Sequence, residues 1–407
     1  METLKGLSWM GGLRVSTRAI AFVKIAILAR LLTPDQFGVF AIASLVLAFL
    51  EILTETGVNV FLIQGEGELR DYVNTSWIVS IIRGALISLV ILILAAFISS
   101  FFNSPDSYNL LRLISIVPFL RGFINPAIVK FQKELKFNRE FIFRLPIFSF
   151  DAIVAIILTY LTRSASSLVW GLIAGAVLEI LLSFIFIEPK PKLAFDFSKV
   201  KKVIGRGKWV TASGVFNYLF HQGDDIVVGR LLNTSSLGLY QVAYKISTLP
   251  ITEVADVFGT VTFPIYAKIS SDSKRLKNAF FRTTLGVSAL VIPLGLIIFF
   301  FTKEVVLLIL GVNWLEAVPV LKVLSVFGIV RAISGSSSSL FFALKKQEYV
   351  TMVTFISILG LAASIIPLVR KYGIVGAGVS ALIGSILALP VIVFYLIKVF
   401  KHENKKS

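Results

Sequence analysis

Ten of the ionisable residues that stand inside otherwise apolar stretches could do chemistry, and they have to be accounted for first. Arg14 and Arg18 lie one helical turn apart, with Lys24 further along the same stretch, and Arg83, Arg121 and Arg331 occur in later ones. A guanidinium can grip two phosphate oxygens at once, so these bases are candidates for binding an anionic substrate group such as a pyrophosphate. His221, Asp224 and Asp225 follow Asn217 at i+4, i+7 and i+8, which is one face of a helix. Asp256 shares another face with Lys245 and Thr252, with Glu253 beside it. A histidine among carboxylates can relay protons or hold a cation, so His221, Asp224, Asp225 and Asp256 are candidates for coupling to H+ or Na+. Each set has a plainer reading as well. The bases can form structural pairs with Glu51, Glu55, Asp151 and Glu179, and the second set can be an interhelical hydrogen-bond network in which Lys245 neutralises one acid. In the first half Arg14, Arg18, Lys24, Arg83, Arg112 and Arg121 outnumber those four acids, so pairing cannot neutralise them all. Arg112 stands near a span end, where it can snorkel.

Other chemistries are excluded by what the sequence lacks. It has no cysteine and only two histidines, His221 and His402, so no disulfide framework, catalytic thiol or His- or Cys-rich metal site is expected. No P-loop pattern occurs; Gly205-Arg206-Gly207-Lys208-Trp209 has neither the spacing nor the hydroxyl. The run Ser334-Gly335-Ser336-Ser337-Ser338-Ser339 lacks the second glycine of a nucleophile elbow and suits close helix packing instead. A membrane glycosyltransferase or ligase would need a sizeable catalytic loop, and the loops are short. The protein is therefore expected not to be an enzyme and to need no cofactor.

The elements that must position these residues follow from composition. The chain has 407 residues, 56% hydrophobic and 15% charged, with mean hydropathy +0.88. A soluble domain is about 25% charged, so the expected class is an all-α, polytopic membrane protein. A helix crosses the roughly 30 Å hydrocarbon layer in about 20 residues. Apolar runs mark about twelve spans, near Leu7–Ala29, Phe37–Leu62, Trp77–Phe101, Leu110–Val129, Leu145–Leu161, Leu168–Ile187, Trp209–Gly229, Leu237–Ile265, Thr283–Phe301, Glu316–Leu340, Val350–Val369 and Ile374–Ile397. The first reads as a retained helix, because it carries three bases and no cleavage site follows it.

The net charge of +17 comes from 40 Lys and Arg against 23 Asp and Glu. Every second loop is basic: Lys130, Lys133, Lys136, Arg139 and Arg144; Lys190 to Lys208; Lys268 to Arg282; Lys345 and Lys346; then the tail. Arg30, Arg163, Arg230, Lys303, Arg370 and Lys371 are the few on the other side. That asymmetry predicts cytoplasmic termini in the cytoplasmic membrane and an even number of spans. It also accounts for the basic loops as topology determinants that touch membrane lipid, and no nucleic-acid partner is expected.

The chain repeats itself. Ile27-Leu28-Ala29-Arg30-Leu31-Leu32, with Phe37-Gly38-Val39-Phe40 and Ala43, is echoed 200 residues later by Val227-Val228-Gly229-Arg230-Leu231-Leu232, Leu237-Gly238-Leu239-Tyr240 and Ala243. Trp9 and Trp209 share this offset, while Arg112, Ser115 and Arg121 match Lys322, Ser325 and Arg331 at an offset of 210. Two parallel six-helix lobes are expected, 1–187 and 209–407, joined by a basic cytoplasmic linker at 188–208 and enclosing a cavity.

The stretch Leu28-Ala29-Arg30-Leu31-Leu32-Thr33-Pro34-Asp35-Gln36-Phe37-Gly38 resembles the first loop of polysaccharide exporters and Wzx-type flippases. Glu55-Thr56-Gly57 with Leu62-Ile63-Gln64, and Pro118-Phe119 with Phe131-Gln132-Lys133-Glu134-Leu135-Lys136-Phe137, resemble the same branch of the multidrug/oligosaccharidyl-lipid/polysaccharide exporter superfamily. The resemblance implies a flippase for a polyprenyl-pyrophosphate-linked oligosaccharide working by alternating access, with Arg14 and Arg18 at the matching cationic positions. Glycan-synthesis enzymes would be partners. The alternative within the same fold is an ion-coupled multidrug antiporter, which would favour an acidic cavity for cationic drugs.

Overall fold

The structure, a computed structural model, describes residues 2–55, 58, 62–63, 69–194, 196, 200 and 207–403. Thr56, Gly57, Gln64, Lys199, Lys201, Lys202, Gly205, Arg206, Lys405 and Lys406 lie outside the described residues, as do the side chains of Lys5, Lys208, Trp209 and His402. The described secondary structure is helical throughout: α1 (Glu2–Leu31), α2 (Pro34–Leu53), α3 (Leu69–Phe101), α4 (Ser107–Ile114), α5 (Ile116–Arg121), α6 (Lys130–Lys133), α7 (Phe137–Thr162), α8 (Ser166–Phe186), α9 (Gly207–Leu231), α10 (Thr234–Lys268), α11 (Ser273–Phe300), α12 (Thr302–Ile309), α13 (Val318–Ala343) and α14 (Gln347–Glu403). A helix satisfies its own backbone groups, as a chain in hydrocarbon must.

Among the described residues, seven helical segments are long and apolar enough to cross a bilayer, and the bent pair Ser107–Arg121 with Pro126–Lys133 can make an eighth. α1, α9 and α10 have the length, 30, 25 and 35 residues, but carry the charged residues singled out above. α14 breaks at Gly373 (φ 59°, ψ −138°), a backbone shape reserved for glycine, and so supplies two spans. Counted this way, the helices correspond to the twelve expected. Their surfaces carry the exposed apolar residues a lipid-facing helix needs, among them Ile93, Phe97, Phe186, Leu285 and Leu308.

Two compact units are present, Met1–Gly238 and Leu239–Ser407, so the seventh span, α9, packs with the first unit. In that unit Val39, Ala43 and Leu47 of α2 pack with Ile87 and Ile91 of α3, Leu111 and Ile114 of α4, and Val169 of α8. The other unit has a core around Tyr266, Leu276, Phe280 and Leu340, and Trp314 is fully buried.

The sequence repeat is also a repeat of local geometry. Thr33 and Asn233 start their helices alike: Gln36 N–H donates to Thr33 Oγ1 (3.3 Å) and Ser236 N–H to Asn233 Oδ1 (2.8 Å). Ser115 Oγ donates to Arg112 O and Ser325 Oγ to Lys322 O, both at 2.7 Å. Leu135 and Lys345 both adopt left-handed backbone, φ 55° and 57°. Each is followed by a six-residue closure, Lys136 N–H to Phe131 O (2.7 Å) and Lys346 N–H to Phe341 O (2.8 Å), the bond that ends a helix in a Schellman turn.

The two repeated glycines meet. A Cβ added at Gly38 would lie 1.8 Å from Thr234 O, and one at Gly238 would lie 1.9 Å from Pro34 O. Pro34 and Thr234 are themselves equivalent at the 200-residue offset, so the contact is reciprocal. Only hydrogen fits where the two backbones pass this closely.

Candidate functional site

The bases of the first unit fall into distinct environments around the helices that carry them. α2 ends at Leu53, where the last carbonyls have no partner within the helix and the dipole is negative. Arg83, reaching from α3, fills that end. Its Nη2 donates to Glu51 O (2.5 Å) and lies 3.4 Å from Glu55 Oε2, while its Nε donates to Thr54 Oγ1 (3.2 Å). Arg121 closes α5 on the same helix end, with Nη1 donating to Glu51 Oε1 at 2.7 Å. Thr211 of α9 donates through Oγ1 to Glu55 O at 2.7 Å. Two guanidiniums, two carboxylates and two hydroxyls are thus gathered at one helix terminus.

These pairs are open to their surroundings. The side chains of Arg83 and Glu55 are 26% and 33% exposed, and those of Arg121 and Glu51 are 41% and 30% exposed. Among the described residues, Arg121 commits one of its five N–H donors and Arg83 commits Nε and Nη2.

Lys24 belongs to a separate pair. Its Nζ lies 2.8 Å from Asp151 Oδ1 of α7, and the two side chains are only 14% and 17% exposed. The carboxylate sits against α8 where glycine leaves room: a Cβ at Gly171 would come within 2.6 Å of Asp151 Oδ1. Glu179, the fourth acid considered as a partner, forms none of these ion pairs. Arg14 is half-buried and Arg18 exposed along α1.

On α9, Asn217 and His221 are exposed whereas Asp224 and Asp225 are buried, so the residues of the expected face differ in environment. Tyr218, next to Asn217, anchors this helix to α2 by donating to Leu45 O at 2.7 Å. Among the described residues, no three His, Cys, Asp or Glu side chains come together as a metal site.

Arg331 and Asp256 belong to the second unit. Arg331 Nη1 donates to Tyr244 Oη at 2.6 Å, and its guanidinium lies 5.7 Å from the Phe327 ring centroid, a cation–π distance. Asp256 is exposed on α10. Tyr244, Thr54 and Thr211 carry no signal in the sequence, since a lone hydroxyl in an apolar run has no periodicity.

Outside the spans, Glu134 sits in the left-handed turn after α6. A hydrogen bond from Lys136, with Lys130 and Arg139 nearby, holds its carboxyl below the ordinary 4.5.

A family model described as polysaccharide biosynthesis protein matches residues 27–319. The chain is 26% identical to an uncharacterized membrane protein in the cps region of Klebsiella pneumoniae, over 98% of this chain and 83% of the relative. It is 24% identical to lipopolysaccharide biosynthesis protein WzxC of Escherichia coli (strain K12), over 84% of this chain and 70% of the relative. The fold is like that of lipid II flippase MurJ in an inward closed conformation, with TM-score 0.74, 18% identity, and coverage of 96% of this chain and 89% of that one.

Proposed function

The chain belongs to the polysaccharide biosynthesis protein family, and from that premise we propose that it is a flippase carrying a polyprenyl-pyrophosphate-linked oligosaccharide to the outer leaflet of the cytoplasmic membrane. The observation that carries this reading is the pair Arg83 and Arg121, two guanidiniums at one helix end within the membrane-spanning bundle of a family member. A charge facing lipid there costs at least about 2.5–3.5 kcal/mol, and a diphosphate gives such charges a use.

In this reading Arg14 and Arg18 bind the pyrophosphate together with Arg83 and Arg121, and Arg331, in the other unit, is by itself a further candidate for an anionic group. Lys24, committed to Asp151, braces α1 against α7 beside these bases rather than touching the cargo. The prenyl chain stays in lipid, no covalent bond is made or broken, and the carrier alternates its access between leaflets. Both termini lie in the cytoplasm, as the basic loops support. Membrane lipid surrounds the spans, and enzymes of glycan synthesis supply the cargo. A membrane potential, negative inside, acts on the pyrophosphate charges with about 2.3 kcal/mol per charge per 100 mV, which favours outward movement. Coupling to H+ or Na+ would act at the buried Asp224 and Asp225 with His221 on α9, and Asp256 on α10 is a separate candidate for the same role.

The test is flipping of a fluorescent lipid-linked oligosaccharide in proteoliposomes. Arg14→Ala with Arg18→Ala abolishes flipping while the protein stays folded. Unchanged flipping in that double variant refutes the assignment of α1, and the absence of flipping by the unmodified protein, with and without an imposed potential or ion gradient, refutes the function.

A further inference from the structure

We propose that Glu51 and Glu55 are built-in competitors for the substrate's phosphates: they hold Arg121 and Arg83 while the carrier is empty and give them up when a diphosphate binds. The inference rests on the flippase reading and adds a role for two acids that would otherwise look like mere counterions.

The geometry separates these pairs from a permanent strut. The Lys24–Asp151 pair is short, largely buried and walled by Gly171. The contact between Arg121 and Glu51 is a single hydrogen bond between side chains that are 41% and 30% exposed. A carboxylate and a guanidinium can form two parallel bonds, and this pair forms one. Arg83 is held in place independently of any carboxylate, because Glu51 O and Thr54 Oγ1 of the α2 terminus accept from it. Its contact with Glu55 is the longest of the three, 3.4 Å. Arg83 is therefore positioned by backbone and hydroxyl, and its carboxylate partner is the replaceable part.

Charge accounting explains why such competitors are useful. Two bare guanidiniums in the membrane would be costly in the empty carrier, and two carboxylates make the cluster neutral. An arriving diphosphate offers several oxygens in place of one carboxylate oxygen per arginine, and the displaced side chains are already about one-third exposed. On release the carboxylates retake the arginines, which lowers the substrate's hold. Both groups are positioning residues: they touch the arginines rather than the cargo.

The experiment uses the full chain in lipid nanodiscs with geranylgeranyl diphosphate as the binding probe, and flipping of a fluorescent lipid-linked oligosaccharide as the transport readout. Glu51→Gln raises probe affinity about fivefold, the size expected for removing one partly exposed ion pair, and lowers both the KM and the kcat of flipping. Glu55→Gln acts in the same direction. In Glu51→Gln/Arg121→Gln the gain disappears. A purely structural role predicts loss of affinity alongside loss of thermal stability, which is measured on the same samples. If the unmodified protein binds the probe and flips but both glutamine variants bind no tighter, the competitor proposal is overturned and the flippase reading stands. If the unmodified protein neither binds nor flips, both fall.

Discussion

Removing the amine of Lys24 tests whether that residue is a strut or a ligand. Lys24→Met leaves the Asp151 carboxylate, 17% exposed, with its charge uncompensated and α8 pressed against it. Breaking a buried ion pair from one side costs about 3–5 kcal/mol. Residual exposure and the option for Asp151 to take up a proton place this case at the lower end. About 3 kcal/mol corresponds to roughly a 100-fold shift in the unfolding equilibrium. Replacing both partners behaves differently, because no charge is left behind: Lys24→Met/Asp151→Asn should recover to within about 1 kcal/mol of the original protein. The assay is reversible unfolding in mixed micelles followed by tryptophan fluorescence, with probe binding measured on the same preparations. Stability unchanged in Lys24→Met, together with lost binding of geranylgeranyl diphosphate, would refute the strut and return Lys24 to the substrate.

Three further outcomes are expected. Gly38→Ala and Gly238→Ala each destabilise by about 3 kcal/mol or more, because their Cβ atoms would overlap the carbonyls of Thr234 and Pro34, and since they damage one contact the double variant falls short of additivity; a neutral thermal-unfolding result at either position denies the close approach. Leu135→Gly and Lys345→Gly relieve left-handed backbone at non-glycine residues and stabilise by about 0.5–1 kcal/mol, the backbone relief outweighing the added freedom of the unfolded chain; a loss of stability in the same assay contradicts the turn geometry. The lowered Glu134 pKa means that its contribution to the turn is fully present above the ordinary value of 4.5 and is lost as pH falls through the lower folded value; the protection of the Leu135 and Lys136 amides, taken relative to their intrinsic exchange rates at each pH, should fall across that window in the native protein and not in Glu134→Gln.

The spans were legible because hydrocarbon imposes length and composition on every crossing helix. Their ends were less so: α1 begins at Glu2 and α3 at Leu69, since a helix continues into polar residues once it has left the apolar layer. The fourth span was expected as one run from Leu110 to Val129, but the chain turns by 69° between Arg121 and Pro126. The buried Asn125 stabilises that turn: its Oδ1 accepts from Ala127 N–H, and its Nδ2 donates to Ile187 O and Pro189 O. Nothing in hydropathy marks an asparagine that serves loop carbonyls some 60 residues away.

The bases were legible as residues, and four acids could be named as partners, but which acid meets which base depends on how helices pack. Lys24 finds Asp151 across 127 residues, and Arg83 takes the end of α2 through backbone and hydroxyl groups that no charge count reveals. Along α9, periodicity placed His221, Asp224 and Asp225 on one face, whereas burial separates the exposed imidazole from the two acids. Charge marks 188–208 as a linker, while packing divides the chain at Gly238; composition registers solvation, and contacts register which helices touch.

The crossing of Gly38 and Gly238, both within the first unit, ties together the sequence change open to two equivalent helix starts. Residue 34 faces 238 and residue 38 faces 234, the arrangement of a symmetric homodimer interface realised inside one chain. In a dimer of identical subunits a single mutation strikes such a contact twice and is removed at once. Here each half mutates alone, yet a side chain gained on one side can be accommodated only if the other backbone retreats. The two positions form a single mutational target of double size, so this corner of the protein can change only by joint adjustment of both helix starts.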